Sequence, residues 1–198
     1  MANLFDNVKN RLVDEKITPN SQQSREWFLD KAETIAHGAS RDSIKSKAPM
    51  KQVASVLPGM MYMFFYSPKH ANTLPYYDTF PLVILLDITN DGMTGLNLHY
   101  LPINLRQKLF YGLLNRVSGQ GMNDKTYLKV TYDYLQGARS LKEYRPCFKK
   151  YLTKHIRGGI ANVPATEWEI AVHLPLALFK KENESTVHRQ SEQMIERF

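Results

Sequence analysis

Three runs decide the fold: Pro58-Gly59-Met60-Met61-Tyr62-Met63-Phe64-Phe65-Tyr66, then Phe80-Pro81-Leu82-Val83-Ile84-Leu85-Leu86-Asp87, then Met93-Thr94-Gly95-Leu96-Asn97-Leu98-His99-Tyr100. Each is short, apolar or aromatic, and bounded by Gly, Pro or Asn, which is the pattern of strands. Pro58-Gly59 is a turn signal ahead of the first. Asn90-Asp91-Gly92 joins the second and third as a hairpin, since Asp-Gly tolerates the positive φ that tight hairpin turns ask for. In the third run Leu96, Leu98 and Tyr100 alternate with Asn97 and His99, as on a half-buried strand. Between the first two lies a polar loop, Ser67-Pro68-Lys69-His70 to Leu74-Pro75. These runs predict a small, strongly bent antiparallel sheet. An SH3-like partial barrel is one such arrangement, but three strands are one or two too few.

Outward from this sheet the pattern turns helical. After Pro102, Leu105, Leu109, Leu113 and Leu114 share a helix face, with Arg106 and Lys108 elsewhere, up to Gly119-Gln120-Gly121. Residues 124–136 suit either helix or strand, and helix is the better fit. Pro146 sits well at the first turn of a further helix running to about Ile156, where its missing N–H costs nothing, and Gly158-Gly159 stops it. Pro164 to Glu169 opens one more short helix. From Lys180 the tail is charged and polar, exposed unless it docks as a helix. On the N-terminal side, Leu4, Phe5, Val8 and Leu12 predict an amphipathic helix over 2–17. Ser21 caps a second helix, striped by Trp27, Phe28, Ala32 and Ile35 and ended by Gly38. Residues 39–56 are basic and poor in apolar side chains, an extended linker. The expected organisation is an α+β core over 57–179, a helical arm with a basic linker over 1–56, and a polar tail over 180–198.

The chain has 198 residues and a formal net charge of +7. Cationic proteins of this size commonly meet a polyanion. The charge is clustered. Arg139, Lys142, Arg145, Lys149, Lys150, Lys154 and Arg157 face one acid, Glu143, within one predicted helical region. On a helix Lys150, Lys154 and Arg157 share a face while Phe148, Tyr151 and Leu152 pack inward, so the cations meet phosphates. A solvated helix face and an acidic protein partner are the competing readings. Lys45, Lys47 and Lys51 of the linker supply a second contact. Tyr76 and Tyr77, on a loop fixed by Pro75 and Pro81, suit stacking on bases or on a DNA terminus. Packing one to each side, with Asp78 capping a turn, is the stronger reading of the same residues.

Other chemistry finds little support. Cys147 is the only cysteine, so an internal disulfide and a thiolate metal site are excluded. His70, His99 and Asp87 match no metal-ligand spacing. Neither glycine pair is followed by the Lys-Ser/Thr of a phosphate loop, and no Gly-x-Ser-x-Gly is present. Asp78, Asp87 and Asp91 lack the acidic pair with a nearby strand lysine that a metal-dependent nuclease uses. The expectation is a non-enzymatic protein with no cofactor, no metal and no small-molecule substrate. The N-terminus lacks a signal-peptide pattern and the run at Phe80–Leu86 is too short to span a bilayer. A protein made in a cytoplasm is expected, with no membrane partner.

Four segments carry a family resemblance: Pro58 to Lys69, Leu74 to Val83, Gly95 to Pro102, and Arg145 to Leu152. Together they resemble the DNA end protector family of T-even-type, contractile-tailed bacteriophages, over roughly residues 57–180. The resemblance implies a virion protein, made in the host bacterial cytoplasm, that binds the ends of packaged double-stranded DNA. It further implies exonuclease inhibition, help in head completion, and contacts with other head or neck proteins; it supplies no catalytic residues. The alternative is a structural adaptor at the neck or baseplate, its cations facing an acidic protein surface.

Overall fold

Where the three apolar runs were expected to pair, they do. The computed structural model describes residues 51–117, 133, 135–137, 140–163, 168–174 and 176–197. In chain order its elements are β1 (Lys51–Val53), β2 (Met61–Tyr66), β3 (Tyr77–Asp78), β4 (Leu82–Thr89), β5 (Gly92–Asn97), α1 (Ile103–Val117), β6 (Phe148–Leu152), β7 (Ile156–Val163), α2 (Trp168–His173), β8 (Phe179–Lys180) and α3 (Glu184–Glu196). Six strands form one sheet in the order β1-β7-β2-β4-β5-β6, every pairing antiparallel, and β3 pairs with β8 separately. The fold is α+β. The two N-terminal helices, the Gly119–Gly121 stop and most of 124–136 lie outside the described residues.

The run Leu82–Leu86 is buried throughout because β4 is covered on both faces. Leu82, Ile84 and Leu86 enter the larger core with Trp168, Phe110 and Val187, while Val83 and Leu85 join Tyr62, Phe64, Tyr66, Met93 and Tyr151. A strand buried on both sides reads as a continuous apolar run rather than an alternating one.

The stretch 142–163 corrects the helix expected there. Lys142–Cys147 is a 3₁₀ turn with Pro146 inside it, Phe148–Leu152 is a strand, Thr153–His155 is a second 3₁₀ turn, and Ile156–Val163 is a strand. Helical spacing of the cations lost to long-range pairing: β6 bonds to β5 and β7 to β2, and these ladders satisfy the backbone. Gly158-Gly159 is therefore no helix stop. Phe64 pairs with Ile160 and Phe65 with Arg157, leaving both glycines as a bulge on β7 at φ 63° and 76°. Left-handed backbone of this kind suits glycine.

These two strands supply those the sequence lacked. β6 and β7 lie at opposite sides of the β7-β2-β4-β5-β6 array yet are joined by a single 3₁₀ turn. The sheet must curl until its two sides meet. Across the seam Leu152 N donates to Tyr66 Oη at 3.1 Å and Ser67 N to the His155 carbonyl at 3.0 Å. The interior holds an aromatic group in which Tyr151 stands edge-on to Phe64 at 5.1 Å and to Tyr66 at 4.9 Å.

Three local expectations also change. The β4–β5 hairpin closes over Asn90-Asp91, and neither these nor Gly92 has positive φ. Gly92 is needed instead because a Cβ there would meet the Tyr151 carbonyl of β6. The third strand stops at Asn97, whose side chain accepts from His99 N at 3.1 Å and caps a buried 3₁₀ turn, Leu98–Tyr100. Arg106, placed off the apolar helix face by its spacing, is buried: its guanidinium donates to the carbonyls of Val172 at 3.1 Å and Leu101 at 3.2 Å. Burial pushes its pKa down to about 10, with Glu184 opposing. In the tail, Asn183 caps α3, which docks through buried Val187 and the His188 contact to the His99 carbonyl.

Candidate nucleic-acid interface

On β6 consecutive side chains leave on opposite faces, so Lys149 and Lys150 part company. Lys149 is half-buried, with Nζ 3.9 Å from the centroid of the Tyr100 ring. Burial pushes its pKa down to about 8, only partly opposed by Cys147. Lys150 is exposed and pairs with Asp91 at 3.0 Å. The hydrogen bonds from Lys150 and Thr89 hold the Asp91 carboxyl below its ordinary value. Such a solvated pair contributes little to stability.

The remaining predicted cations are spread over several elements rather than one helix face. Lys142 and Arg145 are exposed on the 3₁₀ turn before β6, Lys154 is exposed on the turn after it, and Arg157 is exposed at the bulge of β7. His155 is held through Nδ1 to the Ser67 carbonyl at 2.8 Å. Lys51 stands at the start of β1, opposite Asn162, so the chain enters the sheet at the end of β7 away from Arg157. Arg139, Lys45 and Lys47 lie outside the described residues.

The tyrosine loop lands beside β6. Tyr76 is half-buried, 6.0 Å from Tyr100 between ring centroids and tilted 36°, and edge-on to Phe179 at 6.5 Å. Burial raises its pKa. Tyr77 lies in β3, paired with Lys180. Between this loop and the free edge of β6 runs a cleft of about 320 Å³, to which Tyr76, Tyr77, Tyr100, Lys149, Lys150 and Lys69 all contribute. Lys69 also borders an adjoining groove with Lys154 and His155. Two features far apart in sequence, the tyrosine pair and Lys149-Lys150 of the basic stretch, thus line one cleft. Lys69 was hidden in what read as a plain polar loop; only its neighbour His70, also in the cleft, drew notice.

Asp78 anchors that loop. Its Oδ1 accepts from Phe80 N at 2.9 Å, the turn cap expected of it, and from Leu178 N at 3.2 Å. Its Oδ2 accepts from Asn97 Nδ2 at 3.1 Å and His99 Nδ1 at 2.7 Å. Burial alone would raise this carboxyl; the charge and hydrogen bond of His99, with the Phe80 and Asn97 bonds, bring it below its ordinary value. Asp78 and His99 are both buried, and no spacing rule in the sequence joins residues from a loop and a distant strand end. Among the described residues no three His, Cys, Asp or Glu side chains gather as a metal site requires. Asp87 is exposed and its carboxylate accepts from Ile88 N at 2.8 Å. No described helix is long and apolar enough to cross a membrane.

A family model described as the phage T4 terminal DNA protecting protein matches residues 1–193 of the chain. No curated protein matches it, and no solved structure matches it.

Proposed function

This chain belongs to the phage T4 terminal DNA protecting protein family, and on that premise we propose that it grips DNA ends by the basic concave surface around β6. The observation that carries the reading is convergence. Exposed Lys69 and Lys150 line a cleft walled by Tyr76 and Tyr77, exposed Lys154 borders the adjoining groove, and exposed Arg157 follows in β7. The cations contact backbone phosphates without reading sequence, and the tyrosines meet the terminus. Lys142 and Arg145 extend the same charge, and Arg139 with the linker residues Lys45, Lys47 and Lys51 adds a second hold on the duplex. The curled five-strand array, with a 3₁₀ turn between its last two strands, supports an SH3-like partial barrel as the scaffold.

Protection then follows from occupancy. An end enclosed by protein is closed to a host exonuclease, and no bond is made or broken, so the reading is non-enzymatic. The arm ahead of β1 and the exposed residues of the docked tail are left for contacts with other head or neck proteins in the virion, where the protein aids head completion after synthesis in the host cytoplasm.

The test is exonuclease digestion of linear duplex in the presence of the full-length protein. The wild type is expected to protect, and the variant Lys150→Glu/Lys154→Glu/Arg157→Glu to lose protection while keeping its thermal melt. Linear competitor should abolish protection where closed circles do not. Failure of the wild type to protect any linear DNA would overturn the reading in favour of a structural adaptor at the neck or baseplate.

A further inference from the structure

We infer that the cleft between the tyrosine loop and β6 is a pocket for one unpaired terminal nucleotide, its base against Tyr76 and its terminal phosphate on Lys149. This rests on the DNA-end reading and specifies what part of the end is held.

Lys149 is the first reason. An ammonium offers three N–H donors, and taking it out of water is costly unless an acceptor or an anion replaces the solvent. Among the described residues Lys149 has no carboxylate within ion-pair distance, and its close partner is the face of Tyr100. A lysine on an edge strand has a blander use, discouraging the addition of another strand. Exposed Lys150 serves that use; Lys149, tucked over a buried ring, does not. A half-buried cation held on an aromatic face and facing a cleft is a site for an arriving anion.

Shape and lining are the second. At about 320 Å³ the cleft lies at the small end of ligand pockets, which run from about 300 to 1,000 Å³. It admits a base and its sugar, not a base pair with both strands. Tyr76 and Tyr77 supply ring surface on which any base stacks, independent of sequence. Asp78 reaches the cleft too, but its oxygens are already taken by His99, Asn97 and two backbone N–H groups, and its charge repels a phosphate. The phosphate therefore belongs at the Lys149 end, with Lys69 and Lys150 at the rim, and the base at the tyrosine end. The backbone that follows leads into the adjoining groove, bordered by Lys69, Lys154 and by Asp91, whose charge is offset by its pair with Lys150. An end held in this way is frayed by one nucleotide, which withdraws from solution the terminal phosphate and base where an exonuclease begins.

The experiment measures binding of the full-length protein to four labelled DNA duplexes by fluorescence anisotropy. They are a closed dumbbell without ends, a blunt dephosphorylated hairpin, and hairpins with a one-nucleotide 5′ overhang with or without its phosphate. Free deoxynucleoside monophosphate is added as competitor. The expected result is that the phosphorylated overhang binds about tenfold more tightly than the blunt end. Lys149→Met should remove the discrimination for phosphate, Lys149→Arg should restore it, and Tyr76→Leu should remove the preference for the overhang. Millimolar monophosphate should erase the preference without displacing the dumbbell. Equal affinity for all three open hairpins, or full phosphate discrimination in Lys149→Met, would overturn the inference while leaving end binding intact. Equal affinity for the dumbbell and every open end would overturn both readings.

Discussion

Lys149 Nζ lies 3.9 Å from the centre of the Tyr100 ring, so this cleft-lining charge rests on an aromatic face. With its pKa near 8 this amine loses its proton in a range where ordinary lysines keep theirs. Phosphate discrimination by the cleft should therefore weaken as pH rises from 7 to 9. Tyr100, Tyr151 and Cys147 are pushed upward by burial and stay neutral over that range, and Asp78 stays ionised. Lys69, His70 and Lys150 line the cleft as well, so Lys149→Met is the control: the decline should vanish with it. The effect on stability has the opposite sign. Between about pH 8 and the unfolded value near 10.4 the unfolded chain binds more protons at this site, so Lys149 contributes a stability that rises with pH. Denaturant melts of wild type and Lys149→Met at pH 7 and 10 measure it.

Asp78→Asn should be among the most damaging single changes. It leaves four donors, three of them buried, facing an amide that cannot accept from all of them, and breaking a buried charged pair costs about 3–5 kcal/mol. For a chain of this size the melting temperature should fall by about 10 °C. Because the folded carboxyl sits below its ordinary value, its contribution is complete above about pH 4 and is lost as pH falls through the folded value. Thermal melts at pH 7, 4 and 3 should show that acid sensitivity in the wild type and less of it in the variant.

Two glycines, Gly159 of the β7 bulge and Gly92 at the start of β5, make a graded test. Gly159→Ala forces a left-handed backbone on a residue with Cβ and should cost about 1–2 kcal/mol. Gly92→Ala should cost more, since its Cβ meets the Tyr151 backbone carbonyl and must push β5 from β6. Equal melting temperatures for the two variants would count against the close β5–β6 approach.

Salt titrations separate the cations from the cleft. For duplex DNA, Lys154→Gln and Arg157→Gln should each lower the slope of log affinity against log salt by about 0.9, the loss of one phosphate contact. Tyr76→Leu should weaken end binding and leave the slope as it was.

Much of the sheet was legible because three of its strands, Met61–Tyr66, Leu82–Thr89 and Gly92–Asn97, lie close together in the sequence and are rich in strong β-formers. Phe148–Leu152 and Ile156–Val163 were not. Taken alone, Lys150, Lys154 and Arg157 fit a helix period, and only the partners Gly92–Leu96 and Met61–Tyr66, many residues away, make strands of them. The candidate site was half legible for the same reason. Tyr76, Tyr77, Lys149 and Lys150 were each notable, yet nothing in their spacing says they meet. Arg106 and Lys149 carry the same lesson in charge: a cation on a one-dimensional pattern reads as solvated, and its burial is decided by what the fold brings over it.

The single 3₁₀ turn joining β6 to β7 also sets an order of events. β2, β4 and β5 can pair as soon as residue 97 is made, but the strands that finish the array come some fifty residues later. Their pairings span long loops, the kind that form slowly. Both walls of the cleft, and the cations beside it, face each other only after that closure. A chain stalled with its first hairpins formed exposes apolar strands and has not yet built the cleft proposed to hold an end, so selection for an end over plain duplex should come only with the completed fold.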